Sequence, residues 1–329
     1  MKQNLLEKLA TGMLLLAMPF VFNSCGNIDN PLEEILNSSS SATTFQKWNG
    51  TQWENFDLQG YKFQDLTPAF IESLVDNGAG SKILEAGKYR ISGLVTINAG
   101  LLVGGDGTLE FYLNDGAKLD IKGTFTSDAP IAVYGQKANT GELSVKATEA
   151  GSPAIETGKL TVEGGSVKAE STDGAGMNIN ADATVRGGIV EAKGVACGID
   201  VGGGEGKLTV TGSATVSVTA TGADGGGNGH NGVNGDVVIQ ATGNDNIQFV
   251  AAGGAGTAQD GKACNNLFPQ YWDEDKKSWQ PGTDPNAILS TSDDGVYWTE
   301  QSAPESLDGS MQCTTRFLSF LQRVFLEHF

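Results

Sequence analysis

Histidine, arginine and cysteine are scarce in this chain of 329 residues, which holds 2 His, 4 Arg and 4 Cys, and each scarcity closes a class of chemistry. Two His do not make a zinc site without other ligands, which argues against a His-rich metal centre. Basic residues number 21 against 39 acidic ones, a net charge of −18. Nucleic-acid binding needs clustered Lys and Arg to displace counterions, so neither DNA nor RNA is an expected partner. A Ser/His/Asp hydrolase of the usual kind is also without its signpost, because no Gly-x-Ser-x-Gly is present. Proline is rare as well, with 9 residues, whereas Gly is abundant at 46. Collagen would place Gly at every third position and a disordered linker would lack the regular Val, Ile and Leu found here, so the Gly must serve turns.

Long apolar runs are nearly absent too. Lys2 and Lys8 precede one short run, Met13 to Phe22, too brief to span a bilayer as a helix and of the length of a secretory h-region. It ends in Asn23-Ser24-Cys25-Gly26, followed by Asn27, Asp29, Asn30 and Pro31. A small residue directly before Cys resembles a bacterial lipoprotein signal, and the surrounding residues resemble surface lipoproteins of Bacteroidetes-type bacteria, with Phe22 at the place of the usual Leu. The resemblance implies removal of 1–24, acylation of Cys25 and an exported protein at the outer membrane or cell surface. Several acyl chains on one residue give stable anchoring where one chain would not. An ordinary cleaved signal with an incidental Cys is the alternative. Cys197, Cys264 and Cys313 remain, an odd number, so no disulfide framework is indicated and Cys197 reads as a small packed residue.

Composition divides the rest. Residues 25–44, rich in Asn and Ser, read as a flexible tether. Residues 45–86 form an N-terminal cap, in which Thr67-Pro68 followed by Ala69 to Val75 and closing at Gly78 predicts one short helix burying Phe70, Ile71, Leu74 and Val75. From Gly87 to Gly261 lie 37 of the 46 glycines, 6 of 25 aromatic residues and no Trp, which marks a regular middle between differently packed ends. Residues 262–329 are an aromatic-rich C-terminal region. Arg316 to Phe329 carries a helical pattern and changes character abruptly, as a terminal helix or an aberrant end of the reading frame.

The middle repeats. Leu160-Thr161-Val162-Glu163-Gly164-Gly165-Ser166-Val167-Lys168-Ala169 returns as Thr184-Val185-Arg186-Gly187-Gly188-Ile189-Val190-Glu191-Ala192-Lys193, and again from Leu208 to Val218. The spacing from Val162 to Val185 is 23 residues and from Val185 to Val210 it is 25. Each unit offers two or three short strands of alternating apolar and polar residues between Gly-rich corners. A unit so short cannot bury its own apolar side, so copies must stack. The period predicts an all-β fold, a single-stranded parallel β-helix over 87–261 with aliphatic columns inside and Thr, Lys and Glu outside. The general preference of parallel crossovers, and the resemblance given below, make it right-handed. A β-sandwich of antiparallel hairpins is the competing arrangement.

The wording Thr161 to Ala169, with Gly198-Ile199-Asp200 and Thr209-Val210-Thr211-Gly212, resembles the β-helical carbohydrate-binding domains of secreted and surface proteins in gut and cellulolytic bacteria. That resemblance, over about half the chain, implies a non-catalytic glycan binder, with extracellular polysaccharide or host surface glycan as partner and calcium as a possible cofactor. Aromatic rings near polar tips suit sugar faces, so Tyr271, Trp272, Trp279 and Trp298 are the glycan-binding candidates. Asp106, Asp115, Asp128 and Asp173, at Gly-rich corners, are the candidate metal ligands if stacking aligns them. No catalytic residue is expected. A polysaccharide lyase or hydrolase on the same scaffold is the first rival, although only Arg90 and Arg186 precede the last 15 residues and Gly229-His230-Asn231-Gly232 half matches a hydrolase element. A passive surface spacer is the second.

Overall fold

The computed structural model describes residues 44–48, 53–57, 62–220, 227–242, 245–282, 288–293 and 311–312. The signal segment, Cys25, the tether up to residue 43, Trp298 and 314–329 lie outside the described residues. The protein is β-rich, and its strands pair chiefly in parallel, which sets aside the sandwich of antiparallel hairpins for the repeat segment.

The chain visits three stacks of parallel strands in turn. The first contains Gln64–Asp65, Lys88–Ile91, Leu109–Leu113, Ile131–Gly135, Leu160–Val162, Asp236–Ala241 and Asn266–Asp273. The second contains Leu94–Ile97, Lys118–Ile121, Glu142–Ala147, Ser166–Ser171, Asn246–Ala252 and Ile288–Asp293. Ala183–Gly194 and Lys207–Ala220 are long enough to serve both, which joins the two stacks into one 17-stranded sheet. The third stack, a 7-stranded sheet, runs from Ser81–Glu85 to Val233–Asn234. Parallel pairing thus extends from Gln64 to Asp293, past 87–261 on both sides.

Register follows from the alternation. Val95, Leu119, Leu143, Val167 and Val190 lie over one another in one inward column, and Phe111, Val133, Val162, Val185 and Val210 in another. Leu101, Phe125, Ile155, Met177 and Ile199 form the third. All of these are at most 2% exposed and belong to one contiguous core. Each such side chain contributes roughly 1.5–3 kcal/mol by leaving water. A slip of one residue would turn a whole strand's apolar set outward, so the core itself fixes the register.

Corners bring successive turns of chain into backbone contact. A Cβ on Gly188 would lie 2.2 Å from the Gly165 carbonyl oxygen, and Gly188 also has φ +76°. Both demands select Gly there. The adjoining register shifts between Val185 and Gly187, which places an irregularity at the point where Ala183–Gly194 bends from one stack to the next.

Helix α1 (Pro68–Ser73) begins as its sequence predicts, with the Thr67 hydroxyl accepting from the Phe70 amide at 3.2 Å and Pro68 opening the first turn. It stops earlier than expected. The Val75 carbonyl accepts from the Ile83 amide and the Asn77 amide donates to the Ser81 carbonyl, so the chain after Ser73 is drawn onto the edge strand Ser81–Glu85. Ile71 is buried, Phe70 and Leu74 pack partly against the core, and Val75 is 68% exposed rather than buried. A separate antiparallel hairpin, Thr44–Trp48 with Trp53–Asp57, seats Phe45 against Tyr112, with ring centroids 5.4 Å apart.

Candidate functional site

The outward side of the second stack carries a shallow groove of about 380 Å³ lined by Lys118, Asp120, Ser144, Lys146, Lys168 and Glu191 among others. Its side chains sit on consecutive strands in fixed columns: Lys118 beside Glu142; Asp120, Ser144, Lys168 and Glu191 in order; and Lys146, Glu170 and Lys193 in order. Neighbouring strands are ~4.8 Å apart and alternate residues along a strand roughly 7 Å, so donors and acceptors form a grid of those two spacings.

Ion pairs cross the grid. Lys118 meets Glu142 at 2.7 Å, and Lys168 reaches both Glu142 and Glu191 at 3.3 Å. Lys146 meets Glu170 at 3.1 Å, and Lys122 meets Asp120 at 2.6 Å. These pairs are partly exposed, so each adds little stability while orienting its members. Burial pushes the Glu142 carboxyl upward, but its bonds from Lys118 and Lys168 outweigh that and hold it below the usual carboxylate range. Lys168 is raised, first through its bond to Glu142, against partial burial. A carboxyl so held is a hydrogen-bond acceptor and a poor proton donor, which suits recognition better than acid catalysis.

The aromatic candidates are divided by the strand alternation. Trp272 and Trp279 are direct partners across the antiparallel pair Asn266–Asp273 and Ser278–Pro281, with ring centroids 5.5 Å apart and planes at 72°. Tyr271 pairs with Gln280 and shares the inward parity of Leu267 and Pro269, so it does not join the two Trp in one platform. The hairpin tip is an ionic turn in which Asp273 accepts from the Asp275 and Lys276 amides, both at 3.0 Å.

The candidate metal ligands are exposed and scattered. Asp115 holds a neighbouring loop, accepting from the Ala138 and Thr140 amides at 3.2 Å, and Asp173 accepts from the Gly151 amide at 2.8 Å. Asp106 and Asp128 stand at exposed turns. Among the described residues, no group of three or more His, Cys, Asp or Glu side chains converges into a metal-binding cluster. The Asp115 and Asp173 oxygens thus serve backbone amides of residues 22 to 25 positions away in the chain.

Two cysteine expectations part ways. Cys197 is buried, and burial followed by nearby Asp200 pushes its thiol up to about 12. Cys264 is disulfide-bonded and 0% exposed, so a disulfide exists where the odd count indicated none. No helix among the described residues is long and apolar enough to cross a membrane. The sequence announced the outward Lys and Glu but not their columns, since the groove exists only once the register is fixed. No family model, curated protein or solved structure matches this chain.

Proposed function

We propose that the chain is a lipid-anchored surface protein of Bacteroidetes type, whose three strand stacks are the faces of a right-handed parallel β-solenoid that binds extracellular glycan without cutting it. The observation that carries the reading is the grid of paired Lys and carboxylate groups on the second stack, a rigid array repeating at strand spacing. A glycan repeats hydroxyl or charged groups along its length, and a rod with repeating donors and acceptors meets many of them at once. The Ser24-Cys25 junction supports anchoring at the outer membrane or cell surface, where polysaccharide or host glycan is the partner.

Binding to an array of neutral and acidic polysaccharides, with and without calcium, tests the proposal. Lys168→Met and Lys146→Met remove charge-assisted bonds and are expected to weaken an acidic ligand by roughly 10- to 100-fold each. Binding to no polysaccharide in either condition overturns the reading. Release of reducing or unsaturated ends from pectin would replace it with a lyase or hydrolase.

A further inference from the structure

The outward side of the first stack carries a different surface from the groove. Ala132, Thr161, Thr184, Thr209 and Val238 stand in one column across five strands. One position further along the strands come Glu163 and Arg186, joined to each other, and then Thr211, Gln240 and Gln270 in register. The two charges of this lane cancel, and the Gln240 amide donates to Gln270 at 3.0 Å.

Aromatic hairpins bracket the lane. At one end Phe56 of the N-terminal hairpin meets Tyr134 at 5.6 Å, and at the other Trp272 and Trp279 share the outward parity of Phe268 and Gln270. From the strand of Tyr134 to that of Trp272 there are five strand-to-strand steps, about 24 Å at ~4.8 Å each. Within this lane the Thr211 hydroxyl is without a hydrogen-bond partner although the residue is only 4% exposed, and its parity is outward, opposite to the inward Val210. Buried hydroxyls are normally satisfied, so an orphan on a binding face marks a place for a ligand group.

We propose that this lane is a second binding track, for an extended uncharged polysaccharide lying along the stack axis. Thr methyls meet the C–H faces of the sugar rings, while Thr and Gln polar groups meet their hydroxyls, and the aromatic hairpins hold the ends. The lane's own charge selects the occupant: its cation, Arg186, is committed to Glu163, so the lane offers a polyanion no free counter-charge. A pyranose ring in an extended chain is similar in length to one strand step, so a track of about five ~4.8 Å steps accommodates on the order of five rings. The proposal shares the premise of glycan binding but uses neither the groove nor its lysines.

Titration of the full chain with β-1,4-linked glucose oligomers of increasing length, followed calorimetrically, tests it. Affinity is expected to climb with each ring up to roughly five or six and then level off, reflecting a track of about five ~4.8 Å steps. Thr184→Arg, which plants a bulky cation mid-lane, is expected to weaken the longest oligomer at least about tenfold, one step of 1.4 kcal/mol. Thr184→Val keeps the shape and confirms that folding is not the cause of the loss, with a smaller decrease expected. Trp272→Ala should affect long oligomers and spare short ones, and Lys168→Met should change none. Length-independent affinity, binding of acidic polymers only, or Thr184→Arg without effect on a folded protein overturns the lane. The acidic-only outcome leaves the groove reading standing.

Discussion

Replacing Gly188 by Ala tests the close stacking of successive corners. The Cβ so added would stand 2.2 Å from the Gly165 carbonyl oxygen and 2.9 Å from the Gly164 carbonyl carbon, both backbone atoms that no side-chain rotation can clear. The left-handed φ of +76° adds its own cost. Gly151 supplies the control, because its φ is +70° and nothing lies within 4 Å of its notional Cβ. Gly151→Ala should therefore report the conformational term alone, about 1–2 kcal/mol. Gly188→Ala should add an overpacking term of about 1–3 kcal/mol, for a total of roughly 2–5 kcal/mol. Urea unfolding followed by far-UV circular dichroism gives both values from the shift in midpoint at constant slope. If the two substitutions prove equally costly, the corners do not approach as described, and the stacked arrangement at Gly165 and Gly188 fails with them.

The Glu142 network makes a prediction about pH. Its carboxyl sits below the ordinary range in the folded protein, so its stabilisation is present above the unfolded value, about 4.3, and is lost as pH falls through the folded one. Wild type should exceed Glu142→Gln in stability by up to about 1 kcal/mol near neutral pH, the scale of exposed ion pairs, and the gap should close below the carboxylate range; a gap that widens in acid refutes the assignment. Cysteine mapping supplies the other prediction. Acylation would consume the Cys25 thiol, leaving Cys313 as the partner of Cys264 in this chain, while buried Cys197 should resist alkylation at pH 8 until the protein unfolds. Non-reducing peptide mass mapping checks both, and a Cys25 to Cys264 link would refute lipidation at Cys25.

Much of the fold was legible because its determinants are local and repeated. The pairs Val162 with Val185 and Val185 with Val210 sit at the sequence offsets that the repeat displays, and they lie in one inward column. The cap of α1 was legible for the same reason, since Thr67 and Pro68 act within one turn. Its end was not, because the backbone groups that draw Val75 and Asn77 away belong to Ser81 and Ile83, on the next strand. The extension of the first stack to Asn266–Asp273 was hidden by Phe268, Gln270 and Trp272, large residues that obscure the alternation on the outward side. Tyr271 and Trp272 were grouped by adjacency, whereas a strand sends neighbours to opposite faces. The groove required register: Glu142 faces Lys118 at an offset of 24 residues but Ser166 faces Ile189 at 23, and an error of one would have mispaired every charge.

That dependence on register also shows how so acidic a chain can stack its turns. Like charges directly opposite on neighbouring strands destabilise a sheet, and parallel stacking of near-identical repeats is the arrangement most exposed to that penalty. The columns avoid it. Lys118 is followed by Glu142, Lys168 by Glu191, and Lys146 by Glu170 and then Lys193. On the third stack, Glu156 and Asp200 are separated by Asn178, and Asp200 is followed by Asn234, whose amide donates to it at 3.3 Å. The amide supplies the donor that a second carboxylate would lack. Unpaired acids such as Asp106 and Asp128 lie instead at exposed turns, where water screens them. The paired strands thus set acids beside lysines or amides, while acids such as Asp106 and Asp128 fall at turns.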